Sequence, residues 1–160
     1  KNLILIRHGK SSWEAPLNDF DRPLTNRGIS DAHLVSLAAI NFIPKSFIKK
    51  VVQQKEENTA LIFAQNFSYP IESIQFADDL YTFDPKLLEQ LVKKFNNDYE
   101  SVIFFGHNEA ITNFVNKFGS VFIDNVTTSG FVSLTFDCDL WSDLKKGRTT
   151  KVIIPRDLKK

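Results

Sequence analysis

A chain of 160 residues carrying 20 Lys and Arg against 19 Asp and Glu has the length of one ordinary domain, and its net charge of +1 supplies no global field for nucleic acid or an anionic membrane surface. The single cysteine, Cys138, leaves no intramolecular disulfide or cysteine metal cage; that usage fits a reducing compartment, and the cytoplasm is the expected location. No apolar stretch approaches a membrane span, and the opening "NLILI" is too short for a signal-peptide core and runs straight into Arg7.

Short apolar runs alternate with longer segments of helical period, which predicts an α/β domain with a mostly parallel sheet and crossover helices. No repeat, low-complexity tract or linker divides residues 1–160, so they read as a single domain. The first strand is Leu3 to Arg7, followed by a loop, "DFDRPLTNRG", rich in turn and capping residues. A helix from Arg27 to Ala39 follows, with Thr25 or Asn26 as its cap. Phe47 to Val52 reads as the second strand, Glu57 to Asn66 as a helix, and "SIQFA" as the third strand. Asp84 before Pro85 is the order of a cap and a first-turn proline, and it starts the helix "DPKLLEQLVKKF". "SVIFFG" is a buried strand and "EAITNFVNKF" the helix after it. "GFVSLTFD" and "TKVIIP" close the chain as two strands that extend the sheet in antiparallel fashion at an edge.

Two strands end in histidine. "LILIRHG" supplies Arg7 and His8, and "SVIFFGHN" supplies His107 and Asn108. Ligands of open parallel sheets bind beyond the carboxyl ends of the strands, so both histidines are expected at one rim. The third histidine, His33, falls mid-helix and reads as structural or solvent-facing. A metal site would want a further acidic or imidazole ligand, and a neighbouring guanidinium opposes a divalent cation, so no metal is expected. A serine triad lacks its G-x-S-x-G elbow, and no Gly-rich run ending in Lys-Ser or Lys-Thr follows a strand. Phosphoryl transfer to histidine fits the residues present. Arg7 is placed to clamp phosphate oxygens, neutral His8 to attack phosphorus in line, and protonated His107 to neutralise the equatorial oxygens, with Lys10 adding charge at the rim.

These stretches, together with "DFDRPLTNRGISDA", "DDLY", the late "TSGFVSLTFD", Trp141 and "PRDL", resemble the histidine phosphatase superfamily, and specifically its small SixA-like branch of phosphohistidine phosphatases. The resemblance runs from Leu3 to Leu158. It implies a three-layer α/β/α sandwich, a phosphohistidine intermediate on His8, a phosphate pocket built from Arg7 and His107, and no metal or organic cofactor. Arg22 and Asn108 are implied as further phosphate-binding residues, and the implied partner is a phosphohistidine protein or a small phosphoester.

One segment departs from the family pattern. A second clamping arginine is expected four residues before the Thr-Ala pair that opens the next helix, and in "FIKKVVQQKEENTAL" that position holds Lys55, with Lys49 and Lys50 roughly where serines would fall. Lysine keeps the charge and loses the planar fork. Losing one such bond in a desolvated site costs on the order of 3 kcal/mol in the transition state, roughly a hundredfold in rate. For a general acid the region "FADDLYTFD" offers Asp78 and Asp79, with Asp79 the candidate. A leaving imidazole makes less demand on an acid than an alkoxide does, which favours phosphohistidine or an activated phosphoester over sugar phosphates. A chain of this length without an evident acid argues against phosphoglycerate mutase-like chemistry. The remaining alternative is a phosphate- or phosphoprotein-binding regulatory protein of the same fold, weakened at Lys55.

Overall fold

The computed structural model describes residues 1–8, 25–43, 50–53, 57–70, 75–76 and 84–159. Its strands are β1 (Asn2–Arg7), β2 (Lys50–Gln53), β3 (Gln75–Phe76), β4 (Ser101–Gly106), β5 (Phe131–Thr135) and β6 (Arg148–Ile153). They form one mixed six-stranded sheet in the order β3-β2-β4-β1-β5-β6. The β1–β4, β2–β4 and β2–β3 pairs are parallel, and β5 and β6 add the expected antiparallel edge beside β1. The helices are α1 (Asn26–Ala39), α2 (Glu57–Asn66), α3 (Pro85–Lys93), α4 (Ala110–Phe118) and the short α5 (Pro155–Leu158).

Alternation along the buried strands divides the core. Leu3 and Leu5 of β1, with Val102 and Phe104 of β4, pack against Leu88 and Val92 of α3 and Ile111, Phe114 and Phe118 of α4. The intervening Ile4, Ile6, Ile103 and Phe105 pack against Ala32 and Val35 of α1 and Ala60 and Phe63 of α2. Helices therefore cover β1 and β4 on both faces, which is why these strands read as unbroken apolar runs instead of alternating ones.

Caps set the helix starts. Thr25 Oγ1 accepts the Gly28 N–H at 2.9 Å, and Asp84 Oδ1 accepts the Lys86 N–H at 2.9 Å with Pro85 in the first turn. β6 begins at Arg148, two residues before the apolar signal "TKVIIP", because its early pairs, Thr135 with Arg148 and Leu134 with Thr149, are made by main chain and need no apolar side chain on β6: Arg148 is exposed, and Thr149 Oγ1 accepts the Ser120 N–H at 3.0 Å. The turn into β6 needs Gly147, where a Cβ would collide with the Thr135 carbonyl.

The chain order makes a switch point. From β1 the chain crosses to β2 on one side, and from β4 it passes through α4 to β5 on the other, so a crevice opens between the carboxyl ends of β1 and β4.

Candidate active site

That crevice is where the sequence placed its cluster. Arg7 ends β1 in register with Gly106 at the end of β4, and the His8 N–H donates to the Gly106 carbonyl at 2.9 Å, carrying the ladder one residue further. His107 is the next residue on the neighbouring strand. The two imidazole rings meet with centroids 4.7 Å apart and planes tilted by 49°.

His8 is 3% exposed, and neither of its ring nitrogens has a hydrogen-bond partner among the described residues. A buried polar group in that state costs about 1–3 kcal/mol, which a fold retains where the group has other work to do. Burial, and secondarily the charge of His107, pushes the His8 pKa well below the ordinary histidine value. At neutral pH the ring is uncharged with a lone pair to offer, the form a nucleophile requires.

Arg7 is half-buried, and burial lowers its pKa from the ordinary arginine value without threatening its charge near neutrality. Its guanidinium Nη1 donates to the Val126 carbonyl at 2.8 Å. Its main chain is gripped by the segment entering β5, since the Ser129 N–H donates to the Arg7 carbonyl at 2.9 Å and the Arg7 N–H donates to the Gly130 carbonyl at 3.1 Å. Ser129 is fully buried at φ 61°, the left-handed region that a serine seldom occupies. Its Oγ, and Thr127 Oγ1, have no hydrogen-bond partner among the described residues. Sequence reasoning did not count Val126, Thr127 or Ser129 as site residues. The small polar run "TTSG" before an apolar strand was the available signal, but main-chain carbonyls and left-handed backbone carry no mark of residue type.

Asn108 lies beside His107 with its amide engaged: Oδ1 accepts from the Thr112 N–H at 3.1 Å and from Thr112 Oγ1 at 2.6 Å, and Nδ2 donates to Asn125 Oδ1 at 2.6 Å. His33 sits between α1 and α2, its Nδ1 3.2 Å from Asn66 Nδ2. Lys10, Arg22, Lys55, Asp78 and Asp79 lie outside the described residues.

A cleft of about 440 Å³ opens beside the site, lined by Arg27 and Asp31 of α1, Thr127 and Thr128, and Arg156 and Lys159. Ile153 is two strands from Ile6 through Phe131, roughly 10 Å across the sheet, so the chain leaving β6 reaches the same rim as Arg7. Asp31 is held by Lys159 Nζ at 2.7 Å and Arg27 Nε at 3.8 Å. Arg156 has no ion pair among the described residues, and the cleft carries an excess of positive charge.

No family model and no curated protein matches the sequence. Solved structures do match. The protein histidine phosphatase SixA complexed with tungstate superposes with a TM-score of 0.80 at 22% identity, covering 99% of this chain and all of that one. SixA proteins from Agrobacterium tumefaciens and Nakamurella multipartitia superpose with TM-scores of 0.74 and 0.78, each at 20% identity, covering 96% and 97% of this chain and 97% and 96% of theirs. The chain has the SixA fold. At these identities the likeness speaks for the fold, and the chemistry has to come from the side chains. In this SixA fold the crevice between β1 and β4 holds an arginine and two histidines drawn from strand ends that lie about a hundred residues apart in sequence.

Proposed function

We propose that the protein is a phosphatase of the phosphohistidine type, built as a three-layer α/β/α sandwich, that transfers a phosphoryl group to His8 and then hydrolyses the phosphoenzyme. The observation that carries this reading is His8: buried, uncharged, with both ring nitrogens unpartnered among the described residues, against His107 and one residue from a half-buried arginine. That the SixA structure was obtained with tungstate, a tetrahedral oxyanion, supports an oxyanion pocket in this fold.

In the first step a His8 ring nitrogen bonds to phosphorus as the bond from phosphorus to the leaving imidazole nitrogen breaks. The Arg7 guanidinium and a protonated His107 face the charge spread over the equatorial oxygens. Water then attacks the phosphoenzyme, the bond from phosphorus to His8 breaks, and orthophosphate and neutral His8 are released. Asn108 and Arg22 complete the phosphate contacts, Lys55 stands where a second arginine would serve, and Asp79 is the acid for substrates that need one. No metal or organic cofactor enters the scheme. A phosphorylated protein is the preferred substrate because the cationic cleft beside the site can receive carboxylates flanking a phosphohistidine.

Hydrolysis of an aryl phosphate and of a phosphohistidine peptide, by wild type and His8→Ala in parallel, tests the proposal. Turnover of both substrates that vanishes in the variant is expected. Undiminished turnover in His8→Ala would remove His8 as nucleophile. Wild type that binds orthophosphate without hydrolysing either substrate would instead favour the regulatory reading, for which Lys55 is the specific support.

A further inference from the structure

Three polar residues, Asn108, Thr112 and Asn116, follow one another at intervals of four along and just before α4, so they share one face of its axis. Each reaches the segment that leads into β5. Asn116 Nδ2 donates to the Ile123 carbonyl at 2.7 Å and its Oδ1 accepts the Ile123 N–H at 2.8 Å. Thr112 Oγ1 accepts the Val126 N–H at 3.0 Å while donating to Asn108 Oδ1 at 2.6 Å. Asn108 Nδ2 closes the ladder on Asn125 Oδ1 at 2.6 Å. Residues 123–126 are thus fastened to α4 by side chains, in a stretch without regular secondary structure of its own.

The rung from Thr112 to Val126 matters most. Val126 is buried, and its carbonyl is the hydrogen-bond partner of the Arg7 guanidinium among the described residues. Its N–H and its carbonyl are both spoken for, one by Thr112 and the other by Arg7. A half-buried guanidinium has several rotamers open to it, and the direction of its remaining N–H groups depends on where that carbonyl stands.

We propose that Thr112 is a positioning residue for Arg7, acting through Val126, and that the Asn108–Thr112–Val126 chain couples the β4 half of the pocket to the β1 half. The inference rests on the reading of Arg7 as the phosphate clamp. His107 and the Asn108 that fixes Thr112 are neighbours in sequence, so the helix following the second histidine also sets the arginine of the first strand. Thr112 touches neither substrate nor phosphate in this scheme.

Removing the hydroxyl while keeping the shape isolates the effect. Thr112→Val is expected to raise the inhibition constant of orthophosphate and lower kcat/KM for an aryl phosphate by about tenfold each, the size of effect that one misplaced buried hydrogen bond produces. Thr112→Ser should recover both to within about twofold. Thr135→Val, which deletes the hydroxyl bond of 3.1 Å to Asn2 at the opposite end of β1, controls for stability and should leave the orthophosphate constant unchanged. Equal orthophosphate constants for wild type and Thr112→Val, or equal losses in Thr112→Val and Thr135→Val, would overturn the proposal. Arg7→Ala separates it from the reading beneath it. If Arg7→Ala retains wild-type orthophosphate binding, the phosphate-clamp reading falls; if Arg7→Ala loses that binding while Thr112→Val keeps it, only the positioning role falls.

Discussion

Replacing Arg7 with Lys keeps a positive charge at the end of β1 and removes the planar fork. Two interactions are lost with it. One is the 2.8 Å bond to the buried Val126 residue's carbonyl, worth about 1 kcal/mol as an ordinary internal hydrogen bond. The other is the second arm of the grip on phosphate, worth roughly 3 kcal/mol in the transition state by comparison with oxyanion donors. The tether is made in the free enzyme and in the transition state alike, so only the second arm counts in catalysis, about 3 kcal/mol or roughly a hundredfold in kcat/KM. Stability should change little, because only the carbonyl tether belongs to the resting fold, and a loss of about 1 kcal/mol moves Tm by about 3 °C in a domain of this size. Steady-state hydrolysis of an aryl phosphate, read beside a thermal melt, measures both. An Arg7→Lys protein with kcat/KM within about threefold of wild type would refute the claim that Arg7 grips phosphate with two arms.

Stability should also depend on His8 through pH. Its pKa in the fold lies well below the 6.5 of an unconstrained histidine, so below that pH the unfolded chain takes up a proton that the folded chain refuses. The contribution of neutral His8 is complete above about pH 6.5 and is lost as pH falls toward the folded value, with a slope of at most ~1.4 kcal/mol per pH unit. Denaturant titrations from pH 7 to about pH 5 should show a shallower decline for His8→Ala than for wild type, and equal slopes would count against a buried neutral His8. Lys55→Arg should raise kcat/KM by about tenfold or more if residue 55 faces phosphate, whereas no change would put it on the surface. Arg156→Glu should raise KM for a phosphohistidine protein by about threefold and leave aryl phosphate hydrolysis unchanged; equal effects on the two substrates would exclude the cleft as a protein-binding feature.

The parts of the fold that were legible in the sequence are those in which side-chain pattern and buried main chain coincide. Leu3 to Ile6 and Val102 to Phe105 are apolar at every position because helices cover both faces, and Asp84 with Pro85 marks a helix start that no tertiary contact has to override. The meeting of His8 with His107 was readable from topology, since parallel strands deliver their last residues to one rim. The support of Arg7 was not readable. Val126 acts through its carbonyl, Ser129 through a left-handed backbone, and Asn108, Thr112 and Asn116 look like the ordinary polar face of an amphipathic helix until the segment they hold is seen. β6 was entered late because its first pairs are main-chain bonds at an exposed edge, where residue type is under little constraint.

The central claim is that the phosphoryl group passes through His8. Mixing the protein with a radiolabelled phosphohistidine peptide, quenching in alkali and mapping the label by proteolysis tests it most directly. The account predicts label on the peptide containing His8, stable to alkali, labile to acid and absent from His8→Ala. Turnover at the wild-type rate with no label on His8, or with label retained in His8→Ala, would contradict it.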